Sequence, residues 1–302
     1  MTEQSLATTR AALTDGLRAL LARLTLYLTL TKNLQTGLLL ITGLAGYMSG
    51  RPAEPTWASI VSLLGSLFLT VGGSTVLNMV LDRDIDAQMD RTKNRPLPSG
   101  LVRPVEGWTL GLGMVIIGAG WALMQSVPYG LVVLAGVMFD VIVYTHWLKR
   151  RTPWSIIWGG IAGGMPVLAG RVLATGRSDG IGLWLALAVL LWIPTHIMTF
   201  SIKYAEDYRR AGVPVFPNTY GIVKTRLIIG LSTAGAVCAM LWAMYALDLN
   251  ALLMWTARAL GGILSVVTLL AMLHATPRLN YLLYKLASLY MLGSMVVLIA
   301  GA

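Results

Sequence analysis

The segment from Asn78 to Gly100, NMVLDRDIDAQMDRTKNRPLPSG, places four aspartates and four basic residues at the end of a long apolar run. Asn78, Asp82, Asp86 and Asp90 recur every four residues, which on a helix puts them on one face with a drift of about 40° per step. Like charges at that spacing repel and resist joint ionisation. A divalent cation relieves the repulsion: Mg2+ accepts one or two carboxylates and fills its octahedron with water and phosphate oxygens. The row therefore points to Mg2+ bridging a phosphate ligand, with Asn78, Asp82 and Asp86 as metal ligands. Arg91, Lys93 and Arg95 follow at once and suit the phosphate oxygens that the metal leaves over. Pro96 and Pro98 stop the helix and stiffen the turn. The competing reading is a solvated loop with internal salt bridges. The four-residue register, the asparagine and the basic run argue against it, while Asp84 lies off the face and reads as solvated or salt-bridged.

Two further clusters carry charge. In HIMTFSIKYAEDYRRAGVPVFPNTYG, Glu206 and Asp207 offer a second metal site, and Lys203, Arg209 and Arg210 offer phosphate contacts. His196 lies inside an apolar run, where an ionisable residue is a functional candidate and a packing histidine is the equal alternative. In YTHWLKRRTP, Lys149, Arg150 and Arg151 directly follow an apolar run, and at least one of them reads as a membrane-surface anchor. Asp140, one to two turns deeper, needs a partner or a wet cavity. Arg171 is one candidate partner, with snorkelling to the far surface as its other course. For both, structure is favoured over chemistry.

These residues need a scaffold, and the composition indicates which one. Of 302 residues, 56% are hydrophobic and only 12% charged, about half the charge of a soluble protein. Nine runs are long and apolar enough to span a bilayer, approximately 26–48, 57–80, 105–125, 128–147, 155–175, 181–203, 222–246, 251–274 and 281–301. The runs are continuous rather than alternating, which predicts helices and not a barrel. Leu13, Leu17, Leu20, Leu21 and Leu24 alternate with Arg10, Arg18 and Arg23, so residues 1–24 predict an amphipathic helix on the membrane surface. A single domain over 1–302 is expected, with no linker and no secretory signal peptide. The lone Cys238 reads as core packing.

The formal net charge is +10. Eighteen basic residues fall at one set of span ends and three at the other, with Lys32 and Arg171 inside runs. That asymmetry sets orientation rather than nucleic-acid binding. It places the N-terminus and all three charged clusters in the cytoplasm and the C-terminus outside.

Together the clusters resemble the UbiA superfamily of intramembrane prenyltransferases. Asn78, Asp82 and Asp86 match its NxxxDxxxD motif. DRDIDAQMDRTKNRPLPSG, YTHWLKRRTP, GGIAGGMPVLAGRVLATG and EDYRRAGVPVFP are most similar to the protohaem-farnesylating branch, over about residues 30 to 230. Lys203 stands where the wider superfamily places the first aspartate of its second motif, leaving Asp207. Asp140 stands near a position where an aromatic is common. The resemblance implies a nine-helix membrane bundle around a central cavity, in the cell membrane. It implies farnesyl diphosphate as donor, haem B as acceptor and Mg2+ as cofactor, with a haem-modifying or terminal-oxidase assembly factor as a further partner.

The expected reaction is ionisation of an allylic diphosphate, with charge developing on the leaving group. Asn78, Asp82, Asp86 and Asp207 are assigned to Mg2+. Arg91, Lys93, Arg95, Lys149, Arg150 and Lys203 are assigned to the diphosphate. Tyr144 and Tyr204 are candidate stabilisers of the allylic cation by their ring faces, and His196 a candidate to orient or ligate the acceptor. The glycine-rich run 159–170 admits either a flat acceptor against the backbone or tight helix packing. The rivals are prenyl transfer to an aromatic quinone precursor or a lipid alcohol, a transporter with charged gates, and a structural membrane subunit.

Overall fold

The computed structural model describes residue 16, residue 18, residues 21–52 and residues 55–302; most of the expected amphipathic helix, 1–24, lies outside these. Every regular element among the described residues is a helix. Helix α1 is Leu21–Leu30, followed by α2 Asn33–Ser49, α3 Trp57–Leu81, the short α4 Arg83–Ala87 and α5 Pro104–Gln125. Helix α6, Val127–Val137, runs straight into a π-helix, Met138–Leu148. Then come α7 Ser155–Thr175, α8 Gly180–Lys203, the short α9 Ala205–Arg210, α10 Phe216–Ala246, α11 Ala251–Leu273 and α12 Pro277–Ala300.

Eight of these helices are long and apolar enough to cross a membrane. Helix α2, in the first of the nine expected runs, is shorter at 17 residues, so the eight agree approximately with the nine expected. The protein is a multi-pass membrane protein. Many large apolar side chains face outward, among them Ile116, Val223 and Leu252, as suits a lipid solvent. The sequence supplies the helix starts. Thr56 and Ser59 form a capping box on α3, Asp179 accepts from the backbone N–H of Gly182 at 2.8 Å at the start of α8, and Pro104 and Pro277 open α5 and α12. Each side chain or proline settles a helix end that would otherwise leave N–H groups unpaired.

Helix α2 packs on α7 at backbone contact. A Cβ on Gly46 would collide with the Val167 carbonyl oxygen, and one on Gly170 with the Gly43 carbonyl oxygen. On its other side a Cβ on Gly164 would lie 2.7 Å from the Ala186 oxygen of α8. The small residues of 159–170 thus draw α7 against its neighbours, as small residues do where helices associate in lipid.

The first span differs from its expected course. The run 26–48 is broken: Lys32 adopts a left-handed backbone, φ 47° and ψ 60°, between α1 and α2. Thr31 supports the break, its hydroxyl lying 2.8 Å from the Leu28 carbonyl and 2.6 Å from Asn33 Oδ1. Arg171 does not reach Asp140. It is buried and forks onto Asp179 at 2.6 and 2.7 Å while donating to the Ser49 carbonyl at 2.6 Å, tying α7 to α8 and α2 at the end opposite the charged clusters.

Candidate active site

The site forms where α3 ends. Asp82 caps the helix with φ −90° and ψ 1°, yet the four-residue bonding continues through the bend: Asp82 N–H reaches the Asn78 carbonyl at 2.9 Å and Asp86 N–H the Asp82 carbonyl at 2.8 Å. The row from Asn78 to Asp86 is therefore kept across the joint. Asp90 falls in the turn beyond α4 and is exposed, while Asp82 and Asp86 are 7% and 6% exposed.

Buried carboxylates need partners. Lys149, just past the π-helix, meets Asp82 Oδ2 at 2.5 Å, and Arg95 meets Asp86 Oδ2 at 2.7 Å. Thr92 fastens the connecting loop by donating to the Asp86 carbonyl at 2.8 Å. Burial pulls the Lys149 ammonium down, but Asp82 and Tyr144 outweigh it and hold Lys149 above its usual range. Tyr144 lies in the π-helix with its ring 5.7 Å from the Lys149 ammonium. π-Turns are uncommon and frequent at functional sites; this one carries both Tyr144 and Asp140. The Asp140 carboxylate accepts the amide N–H of Asn78 at 2.8 Å, fixing that amide's orientation.

Two oxygens are left over. Asn78 Oδ1 and Asp82 Oδ1 are buried and have no hydrogen-bond partner among the described residues, a condition that costs about 1–3 kcal/mol per group. Both are hard oxygen donors of the kind Mg2+ takes. Among the described residues no three His, Cys, Asp or Glu side chains converge as a metal cage. Mg2+ needs none, because it is commonly held by one or two carboxylates together with substrate phosphates. The Asn78, Asp82 and Asp86 set fits it on that footing.

Lys32 is the residue that sequence reasoning missed. Its ammonium is partly buried and drawn down to about 8, chiefly by burial and then by the nearby Arg95 and Lys149, against the pull of Asp82 and Asp86. It is thus a third cation of the Asp82–Asp86 site, delivered by the break between α1 and α2. The available signal was Lys32-Asn33 inside an apolar run, a pair that a continuous span would not bury without a reason.

Around this centre lies an outer ring of ion pairs. Arg150 forks onto Asp84 at 2.6 and 2.7 Å and also donates to the Leu81 carbonyl. Asp90 accepts from Lys93 at 2.8 Å and from Arg210 at 2.6 Å, and those contacts hold its carboxyl down at about 2. Arg210 also binds Asp207 at 2.5 Å. Asp207, buried on α9, is therefore joined to the 82–95 segment through a shared arginine. Glu206 is exposed and bonded to Arg209.

Arg91, Lys203 and His196 gather elsewhere. The Arg91 guanidinium lies 4.8 Å from the Phe200 ring centre and 5.5 Å from that of Tyr204. Lys203 lies 5.0 Å from the Tyr204 ring centre and 5.2 Å from that of Tyr281. His196 is stacked between Trp192 and Tyr284, at 4.9 and 4.6 Å. Tyr204 belongs to this aromatic group, so of the two tyrosines singled out from the sequence only Tyr144 stands beside Lys149.

A buried oxygen row at the end of a membrane helix, ringed by lysine and arginine, suits a diphosphate carried on an apolar tail. The model of the UbiA prenyltransferase family matches residues 39–294, and the chain belongs to that family of intramembrane prenyltransferases. Among its relatives, the protoheme IX farnesyltransferase of Archaeoglobus fulgidus is 44% identical over 204 residues, covering 68% of this chain and 72% of the relative. The protoheme IX farnesyltransferase of Pyrobaculum arsenaticum is 38% identical over 280 residues, covering 91% and 99%. Among solved structures, a UbiA homolog from Archaeoglobus fulgidus bound to GPP and Mg2+ superposes with a TM-score of 0.69 at 16% identity, covering 91% of this chain and 99% of that one. That likeness is one of fold.

Proposed function

We propose that the protein transfers the farnesyl group of farnesyl diphosphate to a vinyl group of protohaem IX, releasing diphosphate and giving a hydroxyethylfarnesyl haem. The observation that carries the donor half is the pair of unpartnered buried oxygens, Asn78 Oδ1 and Asp82 Oδ1, set among Lys32, Arg95 and Lys149. The acceptor half is supported by relatives named protoheme IX farnesyltransferase.

Asn78, Asp82 and Asp86 would hold Mg2+, with Asp207 serving a second ion. When bound, Mg2+ supplies Lewis-acid neutralisation of the charge that grows on the leaving diphosphate. Lys149 and Arg95 exchange their carboxylate partners for phosphate oxygens as the donor arrives, and Lys32 joins them; Lys93 and Arg150 close the site from the outer ring. Their charges stabilise the leaving group more than the ground state, which is what lowers the barrier. The C1–O bond breaks with its electron pair passing to the diphosphate. The vinyl π-electrons form the new bond to C1. Water adds to the remaining haem-side cation and loses a proton to solvent. The Tyr144 ring face beside Lys149 lies where the allylic cation is stabilised, and the surrounding apolar helices keep water from it until the carbon–carbon bond has formed. The excess of basic residues at this end supports a cytoplasmic position for it and for the N-terminus, in the cell membrane.

The test is mass analysis of products from the purified chain supplied with farnesyl diphosphate, Mg2+ and, in turn, protohaem, a quinone precursor and a lipid alcohol. A haem product heavier by the hydroxyethylfarnesyl group is expected. Prenylation of either other acceptor alone would move the protein to that reaction.

A further inference from the structure

Around the acidic row five basic side chains are matched to acids: Lys149 to Asp82, Arg95 to Asp86, Arg150 to Asp84, and Lys93 and Arg210 to Asp90. Arg91 belongs to the same acid-rich loop and adjoins Asp90 in sequence, yet it turns away to lie over Phe200 and Tyr204. Lys203 lies over Tyr204 and Tyr281, and Lys285 over Tyr281 at 5.0 Å. Among the described residues none of these three cations forms an ion pair with a carboxylate. Lys203 lines a cleft of about 220 Å3 between α8 and α12, walled by Phe200, Tyr204, Tyr281 and Tyr284. Arg91 and Lys285 flank it through the rings they cover. Further along α8, His196 extends the same aromatic wall between Trp192 and Tyr284.

Three uncommitted cations over shared rings form a receptor for a flat, conjugated anion: the cations take the charge and the ring faces take the plane. The cleft is separate from the diphosphate cluster, which has Lys32, Arg95 and Lys149 of its own. It also adjoins that cluster, because Tyr204 immediately precedes α9 and its Asp207. We propose that this cleft binds the carboxylate-bearing edge of the acceptor, taking the propionates of a tetrapyrrole on Lys203, Lys285 and Arg91. The proposal rests on the acceptor assignment above. It moves Arg91 and Lys203 from the donor's site to the acceptor's, and keeps His196 on the acceptor's side.

The experiment titrates the full-length protein, in nanodiscs of neutral phosphatidylcholine, with protohaem and with protohaem dimethyl ester, following the haem absorbance band. Inorganic diphosphate with Mn2+ is titrated separately. Lys203→Gln and Lys285→Gln are each expected to weaken protohaem binding by about tenfold, the loss of one charge-assisted contact near a wet surface. Lys203→Arg retains it, the ester binds wild type and variants alike, and diphosphate binding changes by less than about twofold in each variant, as expected of separate sites. Unchanged protohaem affinity in both glutamine variants overturns the proposal. So does a selective loss of diphosphate binding, which would return Lys203 to the donor site. So does an effect seen only with phosphatidylglycerol in the discs, which would make the cleft a lipid headgroup site. Each of those three results leaves the farnesyl-to-haem assignment standing, whereas a wild-type protein that binds no protohaem removes both.

Discussion

The amide nitrogen of Asn78 donates to the Asp140 carboxylate at 2.8 Å, and the amide oxygen is left buried without a protein partner among the described residues. The carboxylate can only accept, so it dictates which end of the amide faces the site. On the proposed assignment of Asn78 to the metal, Asp140 therefore acts by orienting that amide. Groups that hydrogen-bond to a metal ligand and fix its orientation typically control metal affinity by 10- to 100-fold. Asp140→Leu is expected to lower Mn2+ affinity by about tenfold, read by electron paramagnetic resonance in the presence of inorganic diphosphate. Asn78→Asp alone sets two carboxylates against each other and should lose binding. Adding Asp140→Asn restores a donor–acceptor pair with its polarity exchanged and should recover most of it. A double variant no better than the single one would mean that Asp140 supports only the local packing.

Lys32 gives the site a pH dependence. Its folded value of about 8 lies below the ordinary lysine value, so it loses its proton as pH rises through 8, while Lys149 is held high by Asp82. Affinity for inorganic diphosphate with Mn2+ should fall by up to about tenfold between pH 7 and pH 9, the change in the protonated fraction of one such group. Lys32→Arg should flatten the profile, since arginine stays charged throughout. An unchanged slope in that variant would remove Lys32 from the binding set.

Arg171 has a structural role by contrast. It is buried at the far end, forked onto Asp179 and bonded to the Ser49 carbonyl. Arg171→Leu leaves those acceptors unmatched and should destabilise the fold by about 3 kcal/mol, measured as a lowered midpoint of thermal unfolding in detergent. Mn2+ affinity in the surviving folded protein should not change.

The row from Asn78 to Asp86 was legible in the sequence because its information is local. A four-residue period survives the bend at Asp82 as two consecutive backbone hydrogen bonds. Asp84 likewise declared itself by falling off that face, and Arg150 binds it. What was not legible depends on non-local geometry or on a rare backbone. Lys32 reaches the site only because one residue turns left-handed in an otherwise apolar run. Asp140 finds Asn78 across helices, and the π-turn that carries it has no distinctive period. Arg91 and Lys203 carry the same charge as Arg95 and Lys149, so composition could not separate them; the rings of Phe200, Tyr204 and Tyr281 did. The glycines of 159–170 were open to two readings, and their contacts at Gly164 and Gly170 settle for helix packing at those positions.

The central claim is that an allylic diphosphate ionises against Asp82 and its neighbours. The most direct measurement is Mg2+-dependent release of diphosphate from farnesyl diphosphate, with protohaem present, by wild type and by Asp82→Ala, both first shown to be inserted and folded. Wild type should release diphosphate, and the variant should lose at least about 100-fold of that rate, the effect of removing an electrostatic group that acts on the transition state. Full Mg2+-dependent release by Asp82→Ala would contradict the account.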